Sequence, residues 1–151
     1  MERALAEART AGARGEVPVG AVITDADGRI LAAAGNRGEE SGDPAAHAEM
    51  LALRAAARHL GKKFLVGCTL TVTLEPCPMC AAAISLYRVH RLVFGAYDPK
   101  SGGVEHGPRI FAQRTCHHRP EIIGGVAEAA SAALLKRFFQ TCRDPANSAG
   151  R

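Results

Sequence analysis

Four residues in two short stretches have the types and the spacing to do chemistry: His47 and Glu49 in "DPAAHAEML", and Cys77 and Cys80 in "TLEPCPMC". Cysteines at i and i+3 in the first turn of a helix can aim both sulfurs at one point, and a helix N-terminus favours the thiolate that a metal requires. Pro78, just inside that turn, sits where a backbone N–H would be unpaired in any case. Alone, the pair has three readings: half of a zinc site, a redox dithiol, or cysteines of an ordinary core. A lone His near a helix start reads as a capping or surface residue, and a lone Glu there as a favourable partner for the helix dipole. Together, His-x-Glu and Pro-Cys-x-x-Cys offer three zinc ligands and a carboxylate that need not bind the metal. Three protein ligands leave one tetrahedral position for water, the catalytic rather than the structural arrangement.

Two thiolates and a neutral imidazole leave the zinc site formally neutral, so water there is only partly activated and a nearby carboxylate is needed to take its proton. Glu49 could pass that proton to a ring nitrogen and then to a leaving amine. Hydroxide attacking an amidine-like carbon and expelling ammonia is hydrolytic deamination. Geometry imposes a condition, because residues i and i+2 lie about 200° apart around a helix. His47 and Glu49 can converge only at the helix N-terminal end, toward which side chains tilt. The helices beginning near Pro44 and Cys77 are therefore expected to point their N-termini at one metal.

The elements that must position these residues follow from local pattern. Residues 3–13 read as a surface helix, "EVPVGAVIT" as a strand, "DADG" as a turn and "RILAAAGN" as the returning strand. "RGEESGD" reads as a loop, and Asp43-Pro44 as a helix start with Asp as cap and Pro at the first helical position. That helix runs to Gly61. "CTLTVTL" is a strand, "PMCAAAISLYR" a helix and "RLVFGAY" a strand. Residues 98–118 form a long irregular segment, beyond the usual ~4 to 6 residues of a connection and hence a candidate functional loop. "PEIIGG" supplies a short strand and "VAEAASAALLKRFFQTC" the last helix. The order α-β-β-α-β-α-β-β-α predicts a layered α/β sheet, at least partly parallel.

The 151 residues suffice for one domain with a real core. A net charge of +4 permits nucleic acid as a partner without marking it, since no block of consecutive Lys and Arg forms a basic tail. No apolar run approaches a membrane span, and the N-terminus lacks the apolar stretch of a secretory signal. Five cysteines, an odd count, and the Cys77/Cys80 spacing suit metal binding in a reducing, cytoplasmic setting rather than a disulfide framework. Cys68, Cys116 and Cys142 have no partner at ligand spacing and read as packing or plain thiols.

The His-x-Glu and Pro-Cys-x-x-Cys pair is also the signature of zinc nucleobase deaminases. With "RGEVPVGAV", "GN" at 35–36, "DPAAHAEMLALR", "TLEPCPMCAAAI", "VFGAYDPKSGG", "CHHRPEI" and "LLKRFF", the chain resembles the bacterial tRNA-specific adenosine deaminases along nearly its whole length. The resemblance implies a cytidine-deaminase-like three-layer α/β/α sandwich on a mixed five-stranded sheet. It implies one deaminase domain at 1–142 with a tail at 143–151, and one zinc ion per chain on His47, Cys77 and Cys80, with Glu49 as proton shuttle. The implied reaction is conversion of wobble adenosine to inosine in a tRNA anticodon loop, by a homodimer acting on neither DNA nor membranes.

The same resemblance makes Asn36 a hydrogen-bonding partner of the target nucleoside and Val19 a packing partner of its base; otherwise these read as a turn residue and strand core. Asp98, Lys100 and Ser101 would line the RNA path, though "DPKSGG" is also ordinary turn chemistry. Arg119, Phe138, Phe139 and Arg143 would contact RNA through phosphate and base stacking, the two Phe reading equally well as helix packing. His117 and His118 either meet RNA or cap their segment. Tyr97 departs from the family pattern, where a small or basic residue is expected. Three other readings stand beside this one: deamination of a free nucleobase or nucleoside (guanine, cytosine or cytidine), a zinc-stabilised binding module without activity, and a redox dithiol.

Overall fold

The structure, a computed structural model, describes residues 1–143. The apolar-threonine alternation of 69–74 becomes the central strand β3 (Thr69–Leu74), with Leu70 and Val72 fully buried. It pairs antiparallel with β1 (Gly20–Thr24), which in turn pairs antiparallel with β2 (Ile30–Gly35). On its other side β3 runs parallel to β4 (Arg91–Ala96), and β4 runs parallel to β5 (Glu121–Ile123). The result is a mixed five-stranded sheet in the order β2-β1-β3-β4-β5. The β1–β2 turn closes on Asp25, whose Oδ1 accepts from the N–H groups of Asp27 and Arg29, both at 2.9 Å.

Helices cover both faces. On one, α1 (Glu2–Ala13) lies over β1 and β2, and α5 (Glu128–Arg143) lies beside it over β3 and β4. On the other, α3 (Ala48–Leu60) packs over β1 and β2 and against α4 (Pro78–Leu86). The three layers are those the sequence resemblance implied. Close approach of α1 depends on small residues: Ala4, Ala8 and Ala11 are fully buried. A Cβ on Gly20 would meet Ala4 O and lie 2.5 Å from Ala8 N. The apolar stripe of α3 is Ala52, Leu53 and Ala56, all fully buried in the main core.

Three local expectations fail for identifiable reasons. The helix expected to start at Asp43-Pro44 begins at Ala48 instead. Asp43 caps a tight turn: its Oδ1 accepts from Ala45 N–H at 2.8 Å and its carbonyl from Ala46 N–H at 3.0 Å. Helical hydrogen bonding then starts only when His47 O accepts from Leu51 N–H. The loop expected at 37–43 contains a one-turn helix, α2 (Gly38–Ser41), because the distant Glu16 carboxylate accepts from the N–H groups of Glu39 and Glu40. The strand expected from residue 16 starts at Gly20, since Val19 N–H bonds back to Val17 O at 2.8 Å and leaves the ladder. The 98–118 segment is irregular, as expected, apart from a 3₁₀ turn at Ile110–Ala112 that buries Phe111. Of the tail expected at 143–151, Arg143 is the last residue of α5 and the remainder lies outside the described residues.

Candidate active site

Two helix N-termini meet at one point. His47 is the N-cap of α3 and Cys77 the N-cap of α4, both with extended backbone, and Pro78 takes the first helical position of α4. His47 Nδ1 lies 3.6 Å from Cys77 Sγ and 3.5 Å from Cys80 Sγ. The three donor atoms all fall within 4.8 Å of one another. Zinc bonds of about 2.0 Å to nitrogen and 2.3 Å to sulfur in a tetrahedron set donor separations of roughly 3.5 Å. A borderline-soft donor set at that spacing fits zinc. The α3 N-terminus also answers the angular problem of an i, i+2 pair: with His47 outside the helix and Glu49 in its first turn, both reach the same point.

Glu49 is 4% exposed. Burial pushes its carboxyl up to about 7, while His47 and a hydrogen bond to Cys80 act in the opposite direction. A hydrogen bond from Cys80 brings the Cys77 thiol down to about 4, with His47 assisting. That same hydrogen bond, together with burial, pushes Cys80 up. His47 is raised, chiefly by its hydrogen bond to Cys77. The imidazole nitrogen and the two sulfurs converge on one centre.

Beside the cluster opens a cavity of about 780 Å³, lined by Glu16, Val17, Asn36, His47, Phe138 and Cys142 among others. A neighbouring cavity of about 690 Å³ shares Val17 and Cys142 and is lined by Tyr97, Asp98, Lys100, Ser101, Phe139 and Arg143. Five residues singled out for an RNA path therefore converge on one hollow that borders the cavity at His47. Asn36 borders the first cavity, and its amide also braces the site. Its Oδ1 accepts from Ala48 N–H at 2.8 Å, and Nδ2 donates to Val17 O at 3.2 Å. One N–H and one lone pair of that amide remain for a ligand. Asp98 Oδ1 closes its own turn by accepting from the N–H groups of Lys100 and Ser101.

Val19 and Arg119 are not brought to these cavities. Val19 is buried in the main core, and Val17 occupies the lining position instead. Arg119 lies on the surface with Nη2 3.4 Å from Gln113 O. His117 and His118 border a third cavity, of about 870 Å³, with Ser85, Arg88 and Cys116, and His118 Nε2 is 2.7 Å from Val89 O.

Sequence reasoning passed over two buried carboxylates that shape the walls. Glu16 holds α2 at the first cavity. Glu75 holds the backbone of 98–106, which carries Asp98, Lys100 and Ser101 into the second. Burial pushes both carboxyls up, but the amides around them outweigh it and hold both below the usual value. For Glu75 the available signal was a carboxylate directly after the alternating strand, in "TLTVTLEPC".

Residues 1–96 match the family model for the cytidine and deoxycytidylate deaminase zinc-binding region. A tRNA-specific adenosine deaminase of Agrobacterium fabrum is 54% identical over 143 residues, covering 95% of this chain and 93% of the relative. A solved structure from a study of A-to-I editing by tRNA deaminases at the wobble position of transfer RNA superposes with a TM-score of 0.87. It is 56% identical and covers 89% of this chain and 97% of its own. The guanine deaminase of Nitrosomonas europaea superposes with a TM-score of 0.77 at 25% identity, covering 91% of this chain and 81% of its own.

Proposed function

The chain belongs to the cytidine and deoxycytidylate deaminase zinc-binding family, and from that premise we propose that it hydrolytically deaminates adenosine to inosine at the wobble position of a tRNA anticodon. The observation that carries this reading is the cluster of His47, Cys77 and Cys80, with the buried Glu49 against it and an open cavity at His47, in a chain 54% identical to a tRNA-specific adenosine deaminase.

His47 Nδ1 and the sulfurs of Cys77 and Cys80 would hold the zinc. Bound there, zinc supplies Lewis acidity toward water. Glu49 does the proton work: it takes a proton from the attacking water and delivers it to the ring nitrogen next to the amino-bearing carbon. It then carries a second proton to the departing ammonia. Its burial keeps bulk water from competing for those protons. Asn36 offers its free N–H and lone pair to the nucleoside. Lys100 and Arg143 carry positive charge at the second hollow and Phe139 a half-exposed ring, which suits phosphates and splayed bases. A base held in a stack cannot reach the pocket, so the target adenosine is extruded from the loop.

Residues 1–142 then form one deaminase domain, which the continuity of the sheet through β5 and the packing of α5 over it support. The protein works in the cytoplasm as a homodimer. The described residues contain no helix long and apolar enough to cross a membrane.

A second reading, deamination of a free base, is favoured by the likeness to a guanine deaminase, at less than half the identity. Incubating the zinc-loaded protein with an anticodon stem-loop bearing wobble adenosine, in parallel with free adenosine, cytidine, cytosine and guanine, separates the two. Inosine formed only in the RNA is expected. Activity confined to a free base would refute the tRNA reading.

A further inference from the structure

Glu75 is a buried carboxylate that the reaction does not use. It follows the end of β3, two residues before Cys77, with its side chain fully enclosed. Oε1 accepts from the N–H groups of Val104 (3.2 Å), Glu105 (2.8 Å) and His106 (3.0 Å). Oε2 accepts from Asp98 N–H at 2.9 Å and lies 2.8 Å from His106 Nδ1. Every one of these donors belongs to 98–106, and together they fill the roughly four lone-pair sites of a carboxylate. No other side-chain type of that size accepts so many bonds, and removing the charge leaves amides of the loop without partners.

The same loop is pressed onto the turn that carries Cys77. Gly103 N–H donates to Pro76 O at 2.8 Å. A Cβ on Gly103 would lie 2.6 Å from Pro78 N and 2.8 Å from the carbonyl carbon of Cys77, so the two backbones are in direct contact. On its outer side the His106 ring meets Tyr97 edge-on at 6.1 Å, and Tyr97 meets Phe94 the same way at 5.1 Å. This stack fixes Tyr97 in the wall of the second cavity, beside Asp98, Lys100 and Ser101.

We propose that Glu75 is a positioning residue that locks the 98–106 loop onto the Cys77 turn, so that the wall receiving the nucleic acid and the metal-binding turn are set as one rigid unit. The substrate half of this inference rests on the tRNA deaminase reading; the clamp itself does not.

Hydrogen exchange and steady-state kinetics on zinc-loaded wild type, Glu75→Gln and His106→Ala test it. In Glu75→Gln, amide exchange across 98–106 accelerates at least ~10-fold while β3 and α4 keep their protection. KM for the anticodon stem-loop rises about 10-fold while kcat stays within about threefold, the mark of lost substrate positioning rather than lost chemistry. His106→Ala, which removes one partner and keeps the carboxylate, shows the same pattern at smaller size and decides the question if Glu75→Gln does not fold. Unchanged exchange in 98–106 would overturn the clamp. Accelerated exchange with KM unchanged, or a fall in kcat alone, would overturn its positioning role. A wild-type protein inactive on the stem-loop would count against the tRNA reading instead, and the exchange data, which need no substrate, still decide the clamp.

Discussion

Replacing Glu49 by Gln keeps the size and burial of the side chain and removes its ability to take a proton. Glu49 is buried, and it interacts with His47, Cys77 and Cys80 without belonging to the three-residue cluster. The other two buried carboxylates, Glu16 and Glu75, are held by the amides of α2 and of 98–106 and are unavailable to replace it. A positioned acid–base group contributes about 10²–10⁴-fold. With no substitute in reach, the expected loss in kcat is ~10³-fold, or about 4 kcal/mol of barrier. The N-cap positions of His47 and Cys77 do not depend on this carboxylate, so zinc content stays near that of the wild type. Single-turnover deamination of a stem-loop, with zinc measured by elemental analysis on the same preparation, reads both quantities. Turnover within tenfold of wild type would mean the proton travels elsewhere. Loss of zinc along with activity would mean that Glu49 is a ligand.

Two further predictions concern the frame. Glu16 has a folded pKa below its unfolded value, so it contributes stability above the ordinary carboxylate range that is lost as pH falls through the folded value. Glu16→Gln should therefore be less stable than wild type near neutral pH, with the two urea midpoints converging below about pH 4; a constant gap across the titration would contradict this. Gly20→Ala drives a methyl into Ala4 O and Ala8 N of α1, which should cost about 3 kcal/mol in denaturant unfolding, and a near-neutral result would show that α1 is not seated as described.

The metal cluster was readable from sequence because helix N-termini announce themselves: Pro78 fixes the start of α4, so Cys77 and Cys80 had to share a face. The start of α3 was misplaced because Asp43-Pro44 is as good a turn as it is a cap, and only the contacts of Asn36 with Ala48 decide between them. Sheet order was partly readable from the alternation of strands and helices, while the antiparallel edge followed from the Asp25–Gly28 turn. The wall residues divided along the same line. Asp98, Lys100 and Ser101 sit in one local turn and could be named together, whereas Glu16 and Glu75 act across 23 residues or more, a relation that no local pattern encodes. Val19 is named by resemblance alone; the turn in which Val19 N–H bonds to Val17 O puts Val17 in the cavity wall and leaves Val19 in the core, a detail that no local pattern encodes.

The central claim is that this zinc site acts on one adenosine of a tRNA. It is tested most directly by treating a full-length tRNA transcript bearing a wobble adenosine with the zinc-loaded protein and mapping inosine by nucleoside mass spectrometry. Inosine at the wobble position alone, absent from the Glu49→Gln reaction and from a transcript with guanosine there, is the predicted result. No inosine in the tRNA, with ammonia released from a free base under the same conditions, would contradict the account.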